Sequence, residues 1–101
     1  MNDRSFDEEV LADPLPVLVD FWADDCPSCR ALSPTLRDLA KDYSDQIHIL
    51  KLNVDENPAI TARYGIRAMP TVLGFRDGTL QGKVVGAQAR PEFEALVQLL
   101  L

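Results

Sequence analysis

The sequence predicts an α/β fold, a central mixed β-sheet of about four strands with helices on both of its faces. Three observations predict it. The run Val17-Leu18-Val19-Asp20-Phe21-Trp22-Ala23 is almost unbroken apolar sequence, as expected of a strand covered on both sides. Behind it Leu32, Leu36, Leu39, Ala40 and Tyr43 recur at helical spacing, and a second apolar run follows, so the three segments read as a right-handed βαβ unit with parallel strands. Further on, Asp77-Gly78 joins two strand-like runs through the dipeptide most typical of a tight antiparallel hairpin.

Each element has its own local cause. Asp13-Pro14-Leu15-Pro16 marks a sharp entry into the first strand, because its prolines cannot extend a helix. That strand is predicted over Pro16 to Ala23, with Asp24-Asp25 turning the chain. A helix is predicted from Cys29 to about Tyr43, with Arg30, Arg37, Asp38, Lys41 and Asp42 on its polar face and a kink at Pro34. Gln46 to Val54 is the second strand. Asp55-Glu56-Asn57-Pro58 caps a short helix that ends near Tyr64, where Gly65 suits a left-handed stop. Thr71 to Arg76 and Thr79 to Val85 form the hairpin, and Gly82 suggests a bulge in its second strand. Arg90-Pro91-Glu92 opens a last helix with Phe93, Leu96, Val97 and Leu100 on one stripe.

A chain of 101 residues suits one domain spanning 1–101. Its 47% hydrophobic and 26% charged residues are ordinary globular values, and no apolar run is long enough to cross a bilayer. The net charge of −6 disfavours nucleic acid and anionic membrane as partners. Met1 to Glu9 carries acid where a secretory signal would carry base and then an apolar stretch, so a cytoplasmic location is expected.

The chemistry concentrates in Cys26-Pro27-Ser28-Cys29, which contains the only two cysteines of the sequence and follows the first strand directly. A Cys-x-x-Cys pair at the start of a helix is spaced to close a small disulfide ring, and unpaired N–H groups at the helix terminus stabilise a thiolate. Reversible thiol–disulfide exchange is the expected chemistry. A purely structural clip fits poorly because so short a loop constrains little. A zinc site needs about four ligands, whereas no third cysteine exists and His48 lies in a different apolar run. No metal is therefore expected. Asp20 is a carboxylate inside an apolar strand, where burial raises its pKa; the alternative, a strand-end acid turned to water, is opposed by the continuing Phe21-Trp22-Ala23.

In combination with the dithiol, the segments Val17 to Ala23, Lys51-Leu52-Asn53-Val54-Asp55, Tyr64-Gly65-Ile66-Arg67 and Met69-Pro70-Thr71 resemble the thioredoxin family in order and spacing, over about Ser5 to Leu101. The resemblance implies the thioredoxin fold and a protein disulfide oxidoreductase. It implies that Cys26 is the nucleophile, that Cys29 resolves the mixed disulfide, and that Asp20 assists proton transfer to Cys29. Lys51 matches a family lysine near that Asp, although a solvated strand lysine reads nearly as well. Pro70 matches a proline that is cis in the family and lies against the dithiol, which would let the Met69 backbone pair with an extended substrate peptide. Trp22 and Gly86 match positions flanking the site, and core packing is the stronger reading of Trp22. No cofactor beyond the redox-active Cys26–Cys29 disulfide is implied. The implied partners are protein disulfide substrates and a reductase such as thioredoxin reductase.

Three features depart from the family. Pro27-Ser28 stands where Gly-Pro is typical; proline removes an N–H near the Cys26 thiolate while Ser28 offers a hydroxyl donor, and these effects oppose each other. Asp25 replaces the usual tryptophan and follows Asp24, so two acids disfavour the thiolate and favour basic substrates. Phe6-Asp7-Glu8-Glu9-Val10-Leu11 already matches the family's first helix, which leaves the family's first strand missing and the Gln46–Val54 strand as a bare sheet edge. A monomer or a weak edge-strand homodimer is expected. The leading expectation is disulfide reduction; alternatives are an oxidase or isomerase, or a non-catalytic binding or redox-sensing module.

Overall fold

The computed structural model describes residues 2–101. After a π-helical turn at Asp7–Leu11 come β1 (Val17–Trp22), α1 (Pro27–Asp42), β2 (His48–Asn53), α2 (Pro58–Arg63), β3 (Thr71–Arg76), β4 (Thr79–Val85) and α3 (Arg90–Leu100). The four strands form one mixed sheet in the order β2-β1-β3-β4, with β1 parallel to β2 and antiparallel to β3, and β3 antiparallel to β4.

Alternation along β1 divides the apolar side chains between two cores. Val17, Val19 and Phe21 point to one face, where they join Phe6, Val10 and Ile60 from the amino-terminal turn and α2. Leu18 points to the other, against Leu32, Leu36 and Leu39 of α1 and Phe93, Leu96, Val97 and Leu100 of α3. Phe6, Phe21, Phe75 and Phe93 are fully buried, each contributing about 1.5–3 kcal/mol of transfer free energy. Because Asp20 shares the phase of Leu18, it faces the α1 side of the sheet.

The expected element order is observed, with local differences. α1 begins two residues before Cys29, because Cys26 itself is the N-cap and Pro27 occupies the first turn, where its missing N–H costs nothing. β2 begins at His48 rather than Gln46, since the amides of Gln46 and Ile47 bond back to the Tyr43 carbonyl as α1 unwinds. The first helix is a single π turn, in which the Ala12 amide reaches the Asp7 carbonyl at 3.0 Å. The irregularity expected at Gly82 falls beside it: Gly74 pairs with Gly82 and Phe75 with Leu80, which leaves Gln81 as the extra residue. A Cβ on Gly82 would lie 3.1 Å from Leu96, so glycine there admits the close approach of α3. Asp77 and Gly78 both have positive φ, as a type I′ turn requires. Among the described residues no strand covers the outer edge of β2.

Candidate functional site

The dithiol lies where β1 gives way to α1. Asp25 adopts the left-handed conformation with φ 56°, which aspartate tolerates better than most residues, and this turns the chain into the helix. Cys26 is extended at the N-cap, and its Sγ accepts the Cys29 N–H at 3.2 Å. The two sulfurs are joined as a disulfide across a Cα–Cα distance of 5.3 Å. Cys26 is half-buried and Cys29 is 6% exposed, since a residue one turn into α1 faces the sheet. An incoming sulfur therefore reaches Cys26 more readily than Cys29.

Two further loops meet the dithiol. The Ser28 hydroxyl lies 3.6 Å from Cys26 Sγ and donates to the Met69 carbonyl at 3.4 Å, linking positions far apart in sequence. The Met69–Pro70 peptide bond is cis. The Pro70 carbonyl accepts the Gly86 N–H at 2.8 Å, and Gly86 has φ 88°, open to glycine and strained for other residues. Pro70 is buried, and Met69 is half-buried with its side chain packed against the Phe6–Phe75 core.

Behind the disulfide, a cavity of about 300 Å³ is lined by Cys29, Asp20, Trp22, Lys51, Arg30 and Ser33, together with Ala23, Asp24 and Asp25. Asp20 is 2% exposed, and its Oδ1 has no hydrogen-bond partner. Burial lifts its pKa to about 6, and the nearby Lys51 charge opposes that rise. Trp22 is half-buried on this cavity with its Nε1 likewise unpartnered, so it is a wall of the site as well as a packing residue. Lys51 is exposed yet stands opposite Asp20 in the β1–β2 register.

All the residues expected at the site border the dithiol or its two neighbouring loops. Cys26, Pro27, Ser28 and Cys29 form the helix start, Asp20, Trp22, Asp25 and Lys51 line the cavity, and Met69, Pro70 and Gly86 form the facing loops. Arg30 and Ser33 enter the same cavity without having been singled out from sequence. The i,i+4 spacing of Ser33 from Cys29 is a signal that could have found it, whereas Arg30, next to Cys29 in sequence, carried none. A larger cavity of about 540 Å³, lined by Tyr64, Arg67, Leu80, Lys83 and others, contains none of the expected residues. His48 is engaged with Asp13 at 2.6 Å. Among the described residues no group of three or more His, Cys, Asp or Glu side chains is arranged to hold a metal ion, and no helix is long and apolar enough to cross a membrane.

The thioredoxin family profile matches residues 1–99. The chain is similar to a thioredoxin of Rickettsia bellii, 49% identical over 86 residues that cover 85% of this chain and 82% of the relative. It is also similar to thioredoxin 1 of Synechococcus elongatus, 47% identical over 87 residues covering 86% and 81%. A chloroplastic M-type thioredoxin of Pisum sativum is 48% identical over 86% of this chain and 51% of its own length. With a helix-capping Cys-x-x-Cys pair on a mixed four-stranded sheet between helices, and with these relatives, the chain belongs to the thioredoxin family and is a thiol–disulfide oxidoreductase.

Proposed function

We propose that this protein reduces protein disulfides through Cys26 and Cys29, with Asp20 as the proton acceptor for Cys29. The observation that carries this reading is the asymmetry of the pair: Cys26 is half-buried, whereas Cys29 is buried on a cavity it shares with Asp20. The Cys26 thiolate attacks one sulfur of the substrate disulfide, the substrate S–S bond breaks, and the departing sulfur takes up a proton. Cys29 then gives its proton to the Asp20 carboxylate and attacks Cys26 Sγ. The mixed disulfide breaks, the second substrate sulfur leaves as a thiolate that takes up a proton from water, and two electrons have passed to the substrate as the Cys26–Cys29 disulfide forms. A carboxyl with a pKa of about 6 is suited to accept and return a proton near neutrality.

The Met69 backbone receives the substrate as a short added strand, with Pro70, Gly86 and Trp22 shaping the surroundings. Pro27, Ser28, Asp25 and Lys51 modulate the sulfurs and Asp20. The redox centre is the disulfide itself, without metal or organic cofactor. A reductase such as thioredoxin reductase recharges it, one domain spans the chain, and the cytoplasm is the setting that favours net reduction.

The test is the equilibrium reduction potential of the pair in a thiol buffer, with Cys29→Ser used to trap the substrate. A strongly reducing potential and a mixed disulfide on Cys26 are expected. A second reading, disulfide formation, is favoured by the two donors within reach of Cys26 Sγ, which stabilise the reduced form. A strongly oxidising potential selects it, and a pair that fails to cycle selects a binding module.

A further inference from the structure

Ser28 is the one dithiol-loop side chain hydrogen-bonded to the proline loop, and it stands within reach of two acceptors with a single proton to give. Its Oγ is 3.6 Å from Cys26 Sγ and 3.4 Å from the Met69 carbonyl oxygen. A hydroxyl has one O–H and cannot donate to both. While Cys26 and Cys29 are joined, neither sulfur carries a charge or a proton, so the carbonyl is the better acceptor and the hydroxyl donates there. Reduction by a dithiol donor delivers two electrons and opens the S–S bond. The Cys26 thiolate then bears a full negative charge, and a hydrogen bond to an ionised acceptor is about twice as strong as one to a neutral acceptor. Ser28 is exposed, so no packed neighbour prevents the hydroxyl from turning.

We propose that Ser28 is a redox-coupled positioning residue, whose hydroxyl holds the Met69 carbonyl in the disulfide form and turns to the Cys26 thiolate in the dithiol form, freeing that carbonyl for a substrate backbone N–H. The inference rests on the reading that an extended peptide docks on the Met69 backbone. It makes the reduced protein the docking form and helps the oxidised protein release its product. Because coupling is reciprocal, a peptide seated on the Met69 carbonyl also favours Ser28 on the sulfur, strengthening the thiolate at the moment of docking.

The test uses the full chain, Ser28→Ala and Ser28→Thr, each oxidised and reduced with dithiothreitol, titrated by NMR with a cysteine-free peptide of alternating valine and lysine. The Met69 carbonyl ¹³C shift and the pH at which Cys26 ionises are followed in parallel. The unaltered protein is expected to bind the peptide roughly threefold to tenfold more tightly when reduced. In Ser28→Ala that ratio falls to about one because the oxidised form tightens, the Met69 carbonyl shift no longer responds to redox state, and Cys26 ionises at higher pH; Ser28→Thr restores all three. If the peptide docks at Met69 but Ser28→Ala keeps the ratio, the inference fails and the docking reading stands. If a peptide N-methylated at its backbone amides binds as tightly as its parent, the docking reading fails and the inference fails with it.

Discussion

Asp20 and Lys51 stand directly opposite one another across the parallel β1–β2 pair and line the cavity onto which Cys29 faces. The lysine charge restrains a carboxyl that burial pushes up to about 6. Burial thus sets the raised pKa of Asp20, and one strand pairing moderates it.

Asp20→Asn should stabilise the protein at neutral pH while slowing it. The folded state holds the Asp20 proton up to about pH 6, whereas the unfolded chain releases it near 3.8. Between those values the folded state binds more protons, so the stability present below pH 3.8 is lost as pH rises through about 6. The loss amounts to about 3 kcal/mol. Urea unfolding from pH 3 to 8 should show this decline in the unaltered protein and a flatter profile in Asp20→Asn. Single-turnover release of substrate from the mixed disulfide should fall by about a hundredfold in the variant.

Lys51→Gln should move the pH dependence of that same step. In the proposed reaction Cys29 attacks with Asp20 ionised, so the rate should rise with pH through about 6 in the unaltered protein. Without the lysine charge the Asp20 pKa climbs further, and the rising limb should shift to higher pH with the plateau rate kept. An unshifted limb would mean that Lys51 and Asp20 are not coupled in solution.

Asp25→Lys should reverse the charge preference for substrates. Asp24 and Asp25 are exposed beside Cys26, and a charge contact at such a surface amounts to about a fivefold change in kcat/KM at most. Reduction of disulfide peptides flanked by lysine should slow and that of glutamate-flanked peptides should quicken, with both changes fading in about 1 M salt. Equal ranking before and after the substitution would remove the role.

Gly78→Ala should cost about 1–3 kcal/mol in urea unfolding. Its φ is +75°, and an added Cβ would sit 2.9 Å from the Leu11 carbonyl oxygen. Gly65→Ala is the matched control, because its φ is +63° with open space around the added atom. It should cost less, only the conformational part of about 1–2 kcal/mol. Equal losses would show that the contact with Leu11 contributes nothing.

The uncovered outer edge of β2 should support at most weak self-association. Its exposed residues His48 and Lys51 are polar, as on natural edges that resist pairing. Light scattering at rising concentration should show a monomer with a small dimer fraction, and Lys51→Val should enlarge it. A strictly monomeric Lys51→Val protein would rule out edge pairing.

Local signals carried most of the fold. Thr71–Arg76 and Thr79–Val85 were legible to the residue because Asp77-Gly78 demands positive φ at both positions and places the hairpin without help from the rest of the chain. The start of α1 was legible in principle, since Pro27 suits a first helical turn, yet taking Cys29 as the start hid Cys26 as its cap. The bulge was misplaced by one residue because Gly82 admits the approach of α3, while the skipped pairing falls on Gln81.

By itself the sequence determined the alternation of strand and helix, the two apolar faces of β1 and the pairing of a dithiol with a helix start, because each depends on neighbours a few residues apart. Tertiary structure alone decided what surrounds the sulfurs. The facing of Asp20 and Lys51 depends on strand register, the wall that Trp22, Arg30 and Ser33 build depends on how α1 lies on the sheet, and the Ser28–Met69 contact depends on two loops 41 residues apart meeting. Burial and through-space charge set the acidity of Asp20, and neither exists until the chain has folded around it.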